Sequence, residues 1–483
     1  MRLSIFCALL LFFASGCSKF LEEPPEKRNN LEIKDTESLD LLLNFYNITF
    51  DRSRELVLAT DNYELYKDYY DARPSTFTSS LQYILWMPAL LEQQTYYWEQ
   101  QFLKISYANT ILASLDKVTG SQQDKKRLKE DAHLLRAYEY FQLATLFCLP
   151  YSEENRNQLG LPLKMSLSYD EDLRRKTLGQ TMDFIEQELK LALETSETRS
   201  EEALWRVSKV GAQAFAARFY LYLHDYEKAL AYADACLNSY STLINYEAYF
   251  APQMRTFMSN GGSYTQPNGS TDFRFGEFYL SRMMYNHTGN AVPSQELMDL
   301  YDKINDYRYD AFMVEDYSLN RSAVPGWAAY MQFGSIGLIS GPTTAEMYLI
   351  RAECRARNND AAGAIQDLNT LRRERYKSGT YVDLTEADFA DKKSLLQFII
   401  DERRREFPFT LRWYDIKRIN TDPANILDKI TITRHFYEYD GVSVNTNQMR
   451  TYTLAPGDKR FAWPLPRIDI QLSRGDIEQN PYD

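Results

Sequence analysis

Apolar side chains recur every three or four residues in segment 212–237, on both sides of a polar break at His224 and Asp225. This spacing predicts two antiparallel helices joined by a short turn. Segment 345–371 repeats the arrangement at a constant offset: Ala217, Leu221, Asp225, Ala229 and Leu230 are matched by Ala352, Ala356, Asp360, Ala364 and Ile365. Small residues at the crossing points allow close helix packing, and both aspartates are predicted to cap the second helix of their pair.

Further helical patterns lie at about residues 95–148 and 177–240, and the repeated unit resembles the tetratricopeptide pattern. Each helical repeat leaves an apolar face uncovered, so the repeats must stack. The predicted fold is therefore mostly α: a tetratricopeptide-like helical-repeat scaffold, with helical pairs at about 95–148, 177–240 and 343–377.

Two other regions, 240–342 and 420–483, are rich in Tyr, Asn, Gly, Ser and Pro and have few helix signals. They predict an irregular, loop-rich ligand-binding subdomain of loops and short strands, because binding surfaces tend to lie on loops. The stretch SNGGSYTQPNGS at 259–270 lacks the glycine spacing, the lysine and the following helix of a nucleotide-binding loop. It is predicted to be a mobile loop.

The basic residue Arg2 is followed by an apolar run from Leu3 to Phe13 and by small residues up to Gly16. This order predicts a signal peptide over residues 1–16, because the apolar run is shorter than the roughly 20 residues of a membrane-crossing helix. Cys17 follows ASG, as in the lipobox of bacterial lipoproteins, and is predicted to be lipidated and anchored in a membrane. Residues 17–30 are predicted to be a flexible tether and residues 31–483 a single domain.

The 483 residues carry a formal net charge of −12 at pH 7. This charge argues against nucleic acid or an anionic membrane surface as a partner, since both favour clustered Lys and Arg. Cys148, Cys236 and Cys354 lie far apart in apolar helical segments and are predicted to be buried, unreactive side chains. The four histidines are scattered, and no spacing predicts a metal site, a cofactor or a nucleophile motif.

The most specific strings are FIIDERRREFPFTLRWYDIKRIN at 398–420 and FAWPLPRIDIQLSRGDIEQNPYD at 461–483. Together with the lipobox, ATDNYELY at 59–66, LLRAYEYFQLATLFCLPY and YLIRAECRARNND, in this order, they make the whole chain resemble the SusD/RagB family. The matching features here are Glu402, Arg403, Glu406, Phe407, Arg412, Trp413, Asp415, Arg418, Pro464, Pro466, Gln479, Asn480 and Pro481. The segment CLPYSEENRNQLGLPL differs from the GDVPL-like sequence that many members have at this point. The difference affects the expected conformation of this one loop and not the family resemblance.

The resemblance implies a lipid-anchored outer-membrane protein at the cell surface. Such a protein captures a nutrient, usually an oligosaccharide or polysaccharide, and delivers it to a SusC-like TonB-dependent transporter. The string CSKFLEE is similar to the signal that sends Bacteroidetes lipoproteins to the cell surface. Some relatives bind peptides, so a peptide-binding RagB-like protein is an alternative.

A sugar-binding site needs exposed aromatic rings to stack on sugar C–H faces and polar groups to orient the hydroxyls. The residues outside the helical patterns that meet this description are Trp327, Trp86, Tyr330, Tyr264, Asp61, Asn62, Tyr63 and Tyr66. Trp327 and Trp86 lead this set. Burial in the core is the alternative for each, since large aromatic side chains are highly buried on average.

One pair of carboxylates has a spacing that suits acid–base catalysis: Glu402 and Glu406 lie one helical turn apart in ERRREF. Three neighbouring arginines should keep both ionised, the opposite of what a general acid needs. The sequence therefore predicts a salt-bridge network and no enzyme activity. Two other hypotheses stay open: a surface glycosidase or peptidase, favoured only by the many Asp and Glu residues, and a purely structural repeat scaffold without a small ligand.

Overall fold

The computed structural model describes residues 33–482 apart from 52–53, 73, 79, 95, 169, 260–261, 268–274, 285–290, 318–322 and 333–336. The predicted signal peptide, Cys17 and the whole of the predicted tether lie outside the described residues, so lipidation stays a prediction. Within the described part of the chain, no helix combines the length and apolar character needed to span a membrane.

Helices make up most of the regular structure. The α-helices of the described residues are α1 (Thr36–Asp40), α2 (Phe45–Ile48), α3 (Arg54–Ala59), α4 (Lys67–Ala72), α5 (Pro74–Phe77), α6 (Leu81–Ile84), α7 (Pro88–Leu91), α8 (Tyr96–Ser114), α9 (Gln122–Phe147), α10 (Leu178–Ala192), α11 (Lys209–Tyr222), α12 (Tyr226–Ser239), α13 (Tyr246–Phe250), α14 (Gln295–Asp299), α15 (Tyr307–Phe312), α16 (Thr344–Arg357), α17 (Ala361–Arg373), α18 (Lys392–Glu406), α19 (Arg412–Asn420) and α20 (Arg467–Leu472). Short 3-10 helices cover Leu41–Leu43, Ala251–Gln253, Glu386–Asp388 and Lys459–Phe461.

The long helices stack in sequence order to form the scaffold. Helix α8 packs on α9, α9 on α10, α11 on α12, α12 on α16, and α16 on both α17 and α18. Each region with a predicted helical pattern contains these helices. The predicted fold class, mostly α with a helical-repeat scaffold, is confirmed.

The predicted caps are present at the second helix of each matched pair. The side chain of Asp225 accepts a hydrogen bond from the Lys228 N–H before α12, and that of Asp360 accepts one from the Gly363 N–H before α17. Such a cap stabilises a helix by about 1 kcal/mol. Alanines at the crossing points, such as Ala217, are fully buried, which lets the paired helices approach closely.

Short strands lie in the regions predicted to be rich in loops. The strands of the described residues are β1 (Phe50–Asp51), β2 (Met254–Ser259), β3 (Gly262–Pro267), β4 (Met283–Met284), β5 (Met313–Tyr317), β6 (Ala323–Tyr330), β7 (Leu338–Ile339), β8 (Ile432–Tyr439) and β9 (Val444–Leu454). Strand β4 pairs with β1 in parallel and with β7 antiparallel, and β2–β3, β5–β6 and β8–β9 are antiparallel pairs.

Strand β3 overturns part of the predicted loop at 259–270. Six residues of this stretch pair with β2, and the hydroxyls of Thr256 and Thr265 lie 3.1 Å apart across the pair. Gly262, one of the glycines that suggested a loop, is the first residue of β3. Glycine is often found at such positions because it tolerates the backbone conformations of tight connections.

The carbonyl end of α9 is closed by residues much later in the chain. Lys417 Nζ donates to the carbonyls of Thr145 and Cys148 at 2.7 and 2.6 Å. Asn480 Nδ2 donates to the Phe147 carbonyl at 2.9 Å, and the Trp463 N–H donates to the carbonyl of the preceding residue, 146, at 2.9 Å. These donors satisfy carbonyls that the helix itself leaves free.

One large apolar cluster runs through the long helices and into β4, β7 and β8. Cys148, Cys236 and Cys354 are free thiols buried in it, as predicted. Burial raises the pKa of each thiol, which disfavours the reactive thiolate.

Candidate functional site

The segment between α3 and α4 carries four of the predicted ligand-binding residues. Asn62 is fully buried: its Nδ2 donates to the Pro408 carbonyl at 2.5 Å, and its Oδ1 accepts from Arg404 Nε and Nη2 at 3.0 and 2.8 Å. Its hydrogen-bonding groups are therefore used inside the fold, against the prediction that it meets a ligand. Tyr66 is partly buried and donates its hydroxyl to a backbone carbonyl at 3.2 Å.

Trp86, Tyr63 and Tyr330 belong to the core, with 1% of each residue exposed. Trp86 Nε1 donates to the Ala59 carbonyl at 3.0 Å, so its polar end is satisfied without solvent. The ring of Tyr330 packs against that of Phe312, with 5.8 Å between centroids. None of the three offers an exposed ring face, and the prediction that they stack on a sugar is wrong.

Trp327 and Tyr264 lie in β6 and β3, and the structure describes their backbones but not their side chains. Strand β3 contacts β5, which pairs with β6, so the two strands belong to neighbouring hairpins. Pairing between β5 and β6 is interrupted after Glu315 and Ala328, next to Trp327. A role in ligand binding stays a prediction for both aromatic residues.

A cleft of about 470 Å³ opens beside the α3–α4 segment. Asp61 lines it, together with residues of α18, α19, the N-terminal turn of α14 and the stretch 427–434 that enters β8. Its volume lies in the range of small-molecule sites, roughly 300–1,000 Å³. Asp61, one of the predicted ligand-binding residues, thus lies in the wall of an open, polar cavity.

An ion pair forms the inner wall of the cleft. Arg412 Nε and Nη2 donate to the two carboxylate oxygens of Asp61 at 2.8 and 2.6 Å, and Arg404 Nη2 lies 3.8 Å from Asp61 Oδ2. Burial alone would raise the pKa of Asp61, but the two-pronged contact with Arg412 and the nearby arginines lower it to about 2. Asp61 is therefore ionised at neutral pH.

Arg434, also in the cleft wall, has no carboxylate within ion-pair distance among the described residues. Its Nη2 donates to the Thr60 carbonyl, its Nε has no hydrogen-bond partner in the described chain, and its guanidinium lies over the rings of Tyr63 and Trp86 at 6.0 and 5.6 Å. Burial lowers its pKa. Arg434 was not predicted from the sequence as a site residue. The one feature of the sequence that could have indicated it is its position in β8, where buried and exposed residues alternate and Arg434 falls on the buried side.

The Asp61 ion pair gives a testable pH dependence. Its carboxyl has a lower pKa in the folded chain, about 2, than its ordinary value of 3.8, so the stabilisation is present above about pH 4 and is lost as the pH falls toward 2. The difference in free energy of unfolding between wild type and Asp61→Asn should shrink by about 2 kcal/mol between pH 5 and pH 2. Urea unfolding at each pH measures it.

The matched control is Asp383→Asn, which removes a surface ion pair with Arg373. It should cost less than about 1 kcal/mol at either pH. A difference for Asp61→Asn that stays constant down to pH 2 would contradict the ion-pair account.

Two family models together match most of the chain. The SusD-like_3 model, described as starch-binding associating with outer membrane, matches residues 19–221, and the SusD_RagB model, described as SusD family, matches residues 255–482. The chain belongs to the SusD/RagB family. The resemblance inferred from the ERRREF and QNP strings is thereby confirmed. Among curated proteins, none matches this SusD/RagB chain in sequence.

Solved SusD-like structures share the fold. A SusD superfamily protein from Bacteroides thetaiotaomicron is 17% identical, with a TM-score of 0.65 over 92% of this chain and 100% of that chain. A SusD-like carbohydrate binding protein from Bacteroides vulgatus is 18% identical, with a TM-score of 0.62 over 92% and 97%. A laminarin binding SusD-like protein is 16% identical, with a TM-score of 0.60 over 93% and 99%. At these identities the likeness establishes the fold.

The acidic pair of this SusD/RagB chain is structural. Glu402 and Glu406 are buried on α18, and Arg308 donates to both at 2.7 Å. Burial would raise the pKa of each carboxyl, yet the surrounding arginines, among them Arg308, Arg372 and Arg375, lower both below the usual range. The predicted salt-bridge network is confirmed.

No group of three or more His, Cys, Asp or Glu side chains in the described residues is arranged to hold a metal ion. His133 contacts Glu188 at 2.8 Å, and His224 contacts the carbonyl of Arg418 at 2.8 Å. Both rings therefore have partners within the SusD/RagB fold.

Proposed function

We propose that this chain is a non-catalytic lipoprotein at the outer surface of the outer membrane, which binds a glycan and delivers it to a SusC-like TonB-dependent transporter. Its membership of the SusD/RagB family supports this proposal. Two structural relatives described as carbohydrate or laminarin binding proteins support a glycan as the ligand. Lipidation at Cys17 would keep the protein beside its transporter and raise its effective concentration there.

The cleft beside Asp61 is the observation on which the proposed function rests. It is open, about 470 Å³ in volume, and its walls bear carboxylates, guanidinium groups, amides and hydroxyls, which suit the hydroxyls of a sugar. A glycosidase also needs a carboxylic acid with a raised pKa to protonate the leaving group. The pKa of Asp61 is shifted in the opposite direction, so Asp61 is not suited to act as that acid.

Blocking the cleft should weaken glycan binding. Thr433 is exposed on β8 and lines the cleft, so a Thr433→Trp side chain should occupy the space of a ligand. We expect the Thr433→Trp variant to bind at least about tenfold more weakly than wild type to any glycan that wild type binds, a loss of about 1.4 kcal/mol. Isothermal titration calorimetry against a panel of oligosaccharides and peptides measures this. The control is Thr380→Trp, at an exposed position outside the cleft, which should bind as wild type does.

The same panel separates the alternatives. Steady release of shortened oligosaccharides by the pure protein would overturn the non-enzymatic proposal, and binding of peptides alone would favour a RagB-like peptide carrier. A chain that binds nothing in the panel, with Thr433→Trp unchanged in every assay, would favour a structural scaffold. Co-purification of the native protein with an outer-membrane transporter tests the proposed partner.

A further inference from the structure

Positive charge exceeds negative charge among the buried groups of the cleft. Arg404, Arg412 and Arg434 are 5%, 4% and 4% exposed, and the buried carboxylate among them is that of Asp61, whose side chain is 14% exposed. Arg412 donates to both oxygens of Asp61, and Arg434 lies beyond ion-pair distance of that carboxylate. Arg412 is thus paired with Asp61, and Arg404 also lies 3.9 Å from the partly buried carboxylate of Asp401. Arg434 has no carboxylate within ion-pair distance among the described residues.

The other acidic residues of the cleft lie nearer to water. Glu296 pairs with Arg404 at 2.8 Å, but its side chain is 67% exposed, and Asp428 is 87% exposed and pairs with Lys393. Exposed charges are screened by solvent and contribute little to a buried cation. Glu64 is partly exposed and attracts Arg434 from beyond ion-pair distance. Arg434 is therefore the buried cation of this wall that the described acidic residues do not pair with.

Of the three buried arginines in the described cleft wall, Arg434 is the one without an ion pair. A guanidinium has five N–H donors, and a buried cation is costly unless it is paired and hydrogen-bonded. Here the Thr60 carbonyl accepts from Nη2, two aromatic rings lie against the cation, and Nε has no partner among the described residues. The Nε atom is covered from solvent, so the partner that a ligand can supply is the missing carboxylate: an anion in the cleft would pair with the Arg434 guanidinium, which no described carboxylate does.

We infer that the cleft takes an acidic glycan, one that carries the carboxylate of a uronic acid, and that Arg434 is the residue that selects it. A carboxylate matches the planar fork of a guanidinium better than a neutral hydroxyl does, and charge-assisted hydrogen bonds are roughly twice as strong as neutral ones. This inference rests on the proposed function and narrows its ligand class. A sulfated glycan would offer the same negative charge with a different geometry, so the experiment includes it.

The test compares matched oligosaccharides that differ only in charge. Galacturonate, glucuronate and mannuronate oligosaccharides, their methyl esters and sulfated neutral oligosaccharides of the same length are titrated into the protein by calorimetry. At least one carboxylated oligosaccharide should bind ten times more tightly than its methyl ester, and its affinity should fall as salt is raised. Arg434→Gln should bring the acid and its ester to equal affinity. Arg450→Gln, at an exposed position outside the cleft, should leave the preference unchanged.

The possible results separate this inference from the proposed function. If neutral oligosaccharides bind and every acid binds no more tightly than its ester, the inference fails while glycan binding stands. If sulfated ligands alone gain affinity, the carboxylate assignment fails. If no glycan of either kind binds, the proposed function fails as well. If Arg434→Gln does not fold, Arg434→Lys replaces it in the test. This variant keeps the positive charge but lacks the planar guanidinium, so it should show a smaller preference for the acid over its ester than wild type does. The salt dependence of acid binding is measured on the wild type.

Discussion

Replacing Glu402 with glutamine should lower the free energy of unfolding by about 3–5 kcal/mol. Glu402 is fully buried, and its carboxylate accepts hydrogen bonds from Arg308 at 2.7 Å, from Arg405 at 2.9 Å and from Arg372. Glutamine has nearly the same shape, so the loss reports the removal of the charge that these three guanidinium groups share. Urea unfolding followed by far-UV circular dichroism measures it.

The matched control for Glu402→Gln is Glu201→Gln at the surface. The side chain of Glu201 is 79% exposed and lies 3.7 Å from Arg199. Exposed pairs of this kind contribute about 0–1 kcal/mol, so this variant should unfold almost as wild type does. Equal stability of the two variants would show that the buried network has no net effect on the fold.

Trp413→Ala should cost about 3–5 kcal/mol through the cavity that it leaves in the core. Trp413 is fully buried on α19, donates from Nε1 to the Thr145 carbonyl at 3.2 Å, and packs on Phe461 and Trp463 with ring centroids 5.3 and 6.4 Å away. Its loss removes packing between the scaffold and the segment that follows β9. Thermal and urea unfolding both measure the effect.

Trp413→Phe separates packing from hydrogen bonding at the same position. It keeps an aromatic ring against Phe461 and loses the donor to the Thr145 carbonyl, so it should cost less than the alanine variant. If the phenylalanine variant loses as much stability as the alanine variant, the cavity does not explain the effect.

The scaffold could be predicted because its signals are local. In α11 and α12 the apolar spacing, the small residues at the crossing and the cap at Asp225 all lie within about thirty residues. The roles of Glu402 and Glu406 could be predicted for the same reason, since arginines flank them in sequence. Such agreement between local signals is expected of a sequence that specifies one fold.

The site could be predicted only in part, because exposure of an aromatic ring depends on distant segments. Trp86 is covered by Arg434 from β8, almost 350 residues later, and no local pattern reports that contact. Asp61 was found because its segment stood outside the helices, but its partner Arg412 comes from α19. Arg434 itself was missed, since an inward arginine on a strand is read as a surface residue until its neighbours are known.

The hydrogen bonds from Lys417 and Asn480 to the C-terminal end of α9 bear on the order in which the chain folds. The hydrogen bonds that close this helix join positions 269 and 333 residues apart, so the helix end stays incomplete until almost all of the described chain is present. Long-range closures of this kind slow folding, because chain entropy is lost before the contacts form. Slow folding is compatible with the export that the predicted signal peptide implies, because a chain must be unfolded to pass through a narrow translocation channel.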